Sequence, residues 1–243
     1  MIYLPLLFAC ALAAIHLFIR KLHFLDVVPR SRWLSAAGGV AVAYVFLHIL
    51  PELSKHQETF AEQLGVGEGT AESWVYLVSL VGLAAFYGLE RAAKISRGRS
   101  RSEGGEDAVE ADIFWLHIGS FGLYNGLIGY LLVHREEPGL WPLVIFFVAM
   151  ALHFVTNDYG LREDHKTRYD RFGRWILALS VVAGWALGAA TEISELVIGF
   201  LFAFLAGGVV LNVLKEELPK ERQSRFLPFA LGLGGYAAVL LLI

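Results

Sequence analysis

Long apolar runs separated by short polar stretches dominate the chain. A helix crossing the hydrocarbon core of a bilayer needs about 20 apolar residues at 1.5 Å rise each. Eight windows meet that length, at approximately 2–19, 34–53, 73–92, 112–133, 141–160, 174–191, 195–214 and 226–243. Two of them carry polar groups well inside the run. One reads Phe121-Gly122-Leu123-Tyr124-Asn125-Gly126, the other Leu152-His153-Phe154-Val155-Thr156-Asn157-Asp158. Helical spacing places His153 and Asn157 on one face, and His117, Phe121 and Asn125 on one stripe. Polar groups at membrane depth are costly, which makes both stretches functional candidates.

Charge placement tests the window count. Basic residues favour cytoplasmic loops, and 18 of the 20 lysines and arginines fall after odd-numbered windows. Only Lys55 and Arg135 fall after even-numbered ones. The pattern predicts an all-α polytopic membrane protein of eight transmembrane helices with both termini extracytoplasmic. Trp33, Trp74, Trp115, Trp141 and Trp175 lie near window starts, as headgroup-level rings do, while Trp185 is mid-span and predicts helix packing. Residues 93–111 read as a flexible cytoplasmic linker, polar and glycine-rich. The outer segment 54–72 reads as a longer acidic loop with room for a short helix.

Composition agrees. The 243 residues are 56% hydrophobic, with a mean hydropathy of +0.57, against roughly 45–50% apolar in soluble domains. One cysteine, Cys10, excludes an intrachain disulfide and a multi-cysteine zinc site. The first apolar run has its basic cluster after it, as expected of a retained first span rather than a cleaved signal. No nucleophile–base pair or His-Glu-x-x-His lies in any window, which argues against an enzyme. The scattered basic residues argue against nucleic-acid binding.

The polar residues admit competing readings. His153 reads as a site residue, or as a histidine donating to a neighbouring backbone carbonyl or an asparagine amide. Asn125 and Asn157 read equally as interhelical hydrogen-bond partners or as site lining. Asp158 is spaced to pair with Arg162 at the interface, or to act with Asp164 and His165 as an exit ligand. His117, beside Trp115, reads as shallow, with recruitment as a replacement ligand the alternative. His48, Glu52 and Glu216 sit at span ends, as gate or cap. His16 reads as packed or snorkelling. The spacings Gly122-x-x-x-Gly126 and Gly184-x-x-x-Gly188 predict close helix packing.

Gly39, His48 and Pro51 in the second window echo Gly207, Glu216 and Pro219 in the seventh, which runs in the opposite sense. This marks a candidate inverted repeat of spans one to three (1–92) against six to eight (174–243), around central spans four and five (112–160). Together with His48-x-x-Pro51-Glu52, Glu216-x-x-Pro219, Asn125-Gly126-Leu127 and Leu152-His153, the whole chain resembles the ZIP family of zinc and iron transporters. The resemblance implies a 3+2+3 arrangement and transport of a divalent metal cation, zinc or iron. It places the metal ligands on spans four and five, at His153, Asn125, Asn157 and Asp158. Where the family carries His-Asn-x-x-Asp/Glu-Gly and His-Glu-x-Pro-Glu-Gly, this chain has Phe121, Gly122 and Asn125, then His153, Phe154 and Asn157. Phe121, Gly122 and Phe154 thus stand at lost ligand positions, and His153 alone remains as a strong ligand in register. A divalent ion needs anionic or strongly donating ligands to replace its hydration, so the site is expected to be degraded or retuned. The alternative is a ZIP-shaped protein that no longer transports and acts as a binding, regulatory or assembly partner. The expected surroundings are a lipid bilayer, in particular a bacterial inner membrane, with homodimerisation left open.

Overall fold

The computed structural model describes residues 3–21, 32–102, 111–135, 139–217 and 225–241, without the side chains of Arg101, Glu216 and Glu217. Every regular element among them is helical. In chain order these are α1 (Tyr3–Phe18), α2 (Arg32–Tyr44), α3 (Leu50–Leu64), α4 (Glu68–Ser102), α5 (Ala111–Leu131), α6 (Leu140–Arg168), α7 (Arg174–Ala190), α8 (Glu195–Glu217) and α9 (Phe226–Leu241). Five helical stretches are long and apolar enough to cross a membrane: Tyr3–Lys21, Arg32–Leu64, Glu68–Ser100, Leu140–Ala190 and Glu195–Lys215. Phe226–Leu241 is apolar but shorter. Leu80, Val81, Leu116, Leu123, Leu179 and Leu231 are all exposed. An exterior this apolar suits lipid rather than water.

The helices run further into the polar stretches than their sequence suggests. α4 continues to Ser102, ten residues into the expected linker; residues 103–110 of that linker lie outside the described residues. Ala93 and Ser96, three apart, are buried on one face, and Arg97 pairs with Asp164 at 2.8 Å. Those contacts order a segment that could not order itself. The expected outer loop is likewise helix: α3 ends only at Leu64, where Gly65 takes the left-handed conformation (φ 64°) and its N–H closes on Ala61. Glycine reaches that conformation without a Cβ clash.

Two widened turns mark sites where the α-helical ladder is interrupted. Pro51 has no N–H for the carbonyl four residues back and its ring crowds it; a π-helical segment, Val45–Ile49, precedes it. A second π segment, Tyr169–Gly173, joins α6 to α7. Just before it, Lys166 is the one described non-glycine residue at positive φ (43°). A lysine there is strained, by about 1–3 kcal/mol. Lys166→Gly is therefore expected to raise stability by about 1 kcal/mol, read as a higher melting temperature in detergent.

The chain divides into two compact units, Met1–Phe24 with Gly88–Thr191, and Leu25–Tyr87 with Glu192–Ile243. In the first, α1 packs on α6 and α7, and α5 packs on α7 and α6. α6 is buried nearly all round between His153 and Leu161, as befits a central helix. In the second, α2 packs on α9 and α8, and α3 on α8.

Within each unit helices meet backbone to backbone at glycines. A methyl on Gly184 would overlap the Gly126 carbonyl, and one on Gly129 the Val181 carbonyl. The same reciprocal crossing recurs in the second unit, where Gly39 abuts the Phe229 carbonyl and Gly232 that of Ala36. Gly82 and Gly207 repeat it against the carbonyls of Phe204 and Ser79. Small residues allow such close approach and the dispersion gain that comes with it. The backbone nitrogen of Trp185 lies over Gly129 in this crossing.

Candidate functional site

The first unit holds a chain of buried polar groups contributed by α1, α5 and α6. Asp158 is completely buried and is the one buried carboxylate among the described residues. Its Oδ2 lies 2.7 Å from Nδ1 of His16, also completely buried. On the other side of that ring, Nε2 lies 3.1 Å from the Asn125 amide nitrogen. With the proton on Nδ1, His16 donates to Asp158 and accepts from Asn125, and one neutral imidazole satisfies both contacts.

That arrangement leaves Asp158 Oδ1 and Asn125 Oδ1 buried without a hydrogen bond among the described residues. Both are acceptors. The buried Tyr169 hydroxyl lies beside Asp158 and interacts with it both through the charge and as a hydrogen-bond donor, at a geometry looser than that of the His16 contact. Uncompensated buried acceptors beside a carboxylate make a place where a cation is stabilised.

The sequence-predicted residues are distributed around this chain. Asn125 and Asp158 belong to it, although they meet through His16. Asn157 is buried on the same helix as Asp158. His153 is buried too, held between rings: its centroid lies 5.6 Å from Tyr124 and 6.3 Å from Phe154. Phe154 in turn packs on His16 at 4.5 Å and so walls the cluster. Phe121 is buried against His117. Gly122 faces α7 instead, where an added methyl would press on Ser180 and Ile176. Among the described residues no three His, Cys, Asp or Glu side chains come together as a ready metal cage.

Several expectations are corrected. His16 neither snorkels nor merely packs; it links two helices at the centre of the cluster. Asp158 pairs with His16, and Arg162 pairs with Asp170 at 3.0 Å. Asp158 is completely buried, whereas Arg162 is a third exposed and bonds to the part-exposed Asp170. His117 is buried within the protein, 1% exposed, and its Nδ1 lies 2.9 Å from His165 Nε2. His165 follows the apolar part of α6.

His48 and Glu52 belong to the second unit, where they pair with each other at 3.1 Å over the widened turn, with Tyr44 stacked on His48 at 4.8 Å. The backbone of Glu216 ends α8, and its side chain lies outside the described residues. Nothing in the sequence singled out His16, a lone histidine in an apolar helix whose partner is 142 residues away. The one available signal was its cost: a titratable group within the apolar window 2–19 needs a partner. No family model, curated protein or solved structure matches the chain, so the functional reading rests on these side chains.

Proposed function

We propose that the protein is a ZIP-like membrane carrier of eight spans that moves a divalent cation, through a retuned site at Asp158, Asn125, Asn157 and His16. The observation that carries this reading is the completely buried Asp158, held by His16 on one oxygen and only loosely met by Tyr169. A carboxylate costs several kcal/mol to bury, and part of its hydrogen-bonding capacity is left unused. His153 and Tyr169 border the same cluster. The open donors are oxygens, which favour iron over the softer-ligand preference of zinc. One carboxylate and few strong ligands make weak binding, as a carrier that must release its cargo requires.

The glycine crossings support the inverted arrangement of spans. Gly39 on the second span meets Phe229 on the eighth, as Gly207 on the seventh meets Ser79 on the third. Gly39 and Gly207 are the two echo positions found in the sequence. Each compact unit also contains whole pairs of repeat mates: spans one and six with four and five, and spans two and seven with three and eight.

The absence of a three-ligand cage among the described residues favours a second reading, a non-transporting protein that uses the same fold as a binding, regulatory or assembly partner. Proteoliposome uptake separates the two. Iron, zinc, manganese or cadmium flux that depends on the protein and disappears in His16→Ala supports the carrier. No flux of any of them supports the second reading.

A further inference from the structure

We infer that the C-terminal end of α1 and the N-terminal end of α7 form a docking site for an anionic phospholipid. Its phosphodiester is held by Lys21, Arg171 and Arg174, and an acyl chain lies along α7. The inference needs only that the chain spans a bilayer, and it stands apart from the carrier reading.

The two helix ends meet directly. Arg174, the first residue of α7, donates from Nη1 to the Leu17 carbonyl near the end of α1, at 3.4 Å. A short 3-10 turn, Ile19–Lys21, continues α1 and carries Arg20 and Lys21. Arg171 lies three residues before Arg174, in the π segment that leads into α7. Three of these cations sit over rings. Lys21 Nζ lies 5.0 Å from the Phe18 centroid, the Arg171 guanidinium 5.0 Å from Phe172, and that of Arg174 5.4 Å from Trp175. All three rings are exposed. A ring attracts a cation without neutralising it, so the positive charge stays available to an anion.

Neighbouring cations show what these lack. Arg97 is bonded to Asp164 and Arg162 to Asp170. Arg20, Lys21, Arg171 and Arg174 have no carboxylate partner among the described residues. Arg174 Nε is moreover buried without a hydrogen bond among them, a donor left at a cost. The preference of basic residues for one side of a membrane accounts for their sign. It does not account for their convergence from two helices without a counter-ion.

The apolar side of the site makes the missing anion a lipid headgroup rather than a free phosphate. Trp175, Leu179, Ala183 and Leu187 follow at four-residue intervals on α7, and all are exposed. At 1.5 Å rise per residue they form a gently winding stripe roughly 18 Å long, which starts at the cations. One leaflet of hydrocarbon is about 15 Å deep, so an acyl chain matches the stripe. Trp175 stands at its head, where an amphipathic ring suits the headgroup zone.

Native mass spectrometry of the full-length protein in detergent tests this, with dioleoyl phosphatidylglycerol and dioleoyl phosphatidylcholine as probes. Wild type is expected to retain phosphatidylglycerol at concentrations where phosphatidylcholine is lost. Lys21→Gln and Arg174→Gln should each weaken retention about fivefold, the scale of one charge beside an anionic headgroup. Lys94→Gln, which removes an exposed cation on α4 rather than on either helix of the junction, should leave it unchanged. The inference is overturned if wild type retains neither lipid or both equally. It is also overturned if Lys94→Gln costs as much as Arg174→Gln, since the attraction is then diffuse surface charge. Competition by glycerol 3-phosphate as strong as by phosphatidylglycerol would make the occupant a free phosphate, and the lipid assignment falls. Should Arg174→Gln fail to fold, Lys21→Gln and Trp175→Ala decide, because both side chains are exposed: weaker retention supports the site, and unchanged retention in both overturns it.

Discussion

Asp158→Ala is expected to destabilise the protein by about 3 kcal/mol, the scale for removing one partner of a fully buried pair, and to abolish cation flux. The alanine leaves the Nδ1–H of His16 buried with no acceptor, and an unsatisfied buried donor carries its full desolvation penalty. Detergent melting curves or denaturant titration in mixed micelles would measure the loss. Asp158→Asn separates stability from charge. Its amide oxygen still accepts from His16, so most of the stability should remain while flux is lost with the negative charge. The double variant His16→Leu with Asp158→Leu should cost less than the sum of the two single substitutions, because it removes the shared bond once and strands only the Asn125 amide. Additive losses would mean that the two residues do not share the bond described above.

Substitution of the crossing glycines should produce the other large effect. Gly184→Ala, Gly82→Ala and Gly39→Ala each place a methyl on a neighbouring helix's carbonyl. The obstacle is backbone, so the helices must separate, at about 3 kcal/mol or more, the upper range of overpacking costs. Gly88, Gly119 and Gly234 are also helical but have open space where a methyl would go. Alanine there should be neutral or stabilising by up to about 1 kcal/mol, from helix propensity. Melting temperatures across the six variants check this. Equal behaviour of the two groups would refute the close crossings.

The two effects share a cause. Without water to drive helix association, a bilayer-spanning protein depends on close packing and on buried polar contacts. Backbone approach at the glycines brings α5 against α7, and α1 packs on α7 and α6. That arrangement leaves His16, Asn125 and Asp158 converging where no lipid reaches.

Much of this was legible in the linear order of residues. Apolar runs of bilayer length, and polar groups spaced three and four apart, were enough to foresee long apolar helices. They also marked Asn125, His153 and Asn157 as polar groups at membrane depth, and His117, Phe121 and Asn125 as one stripe, because hydropathy and helical period are local properties. The tertiary structure alone decided the partnerships. His16 has no neighbour in sequence that announces it. Arg162 was spaced for Asp158 but pairs with Asp170. Residues 93–102 look disordered until Asp164 comes within reach of Arg97. In each case the deciding energy is a contact between distant segments, which no local pattern encodes.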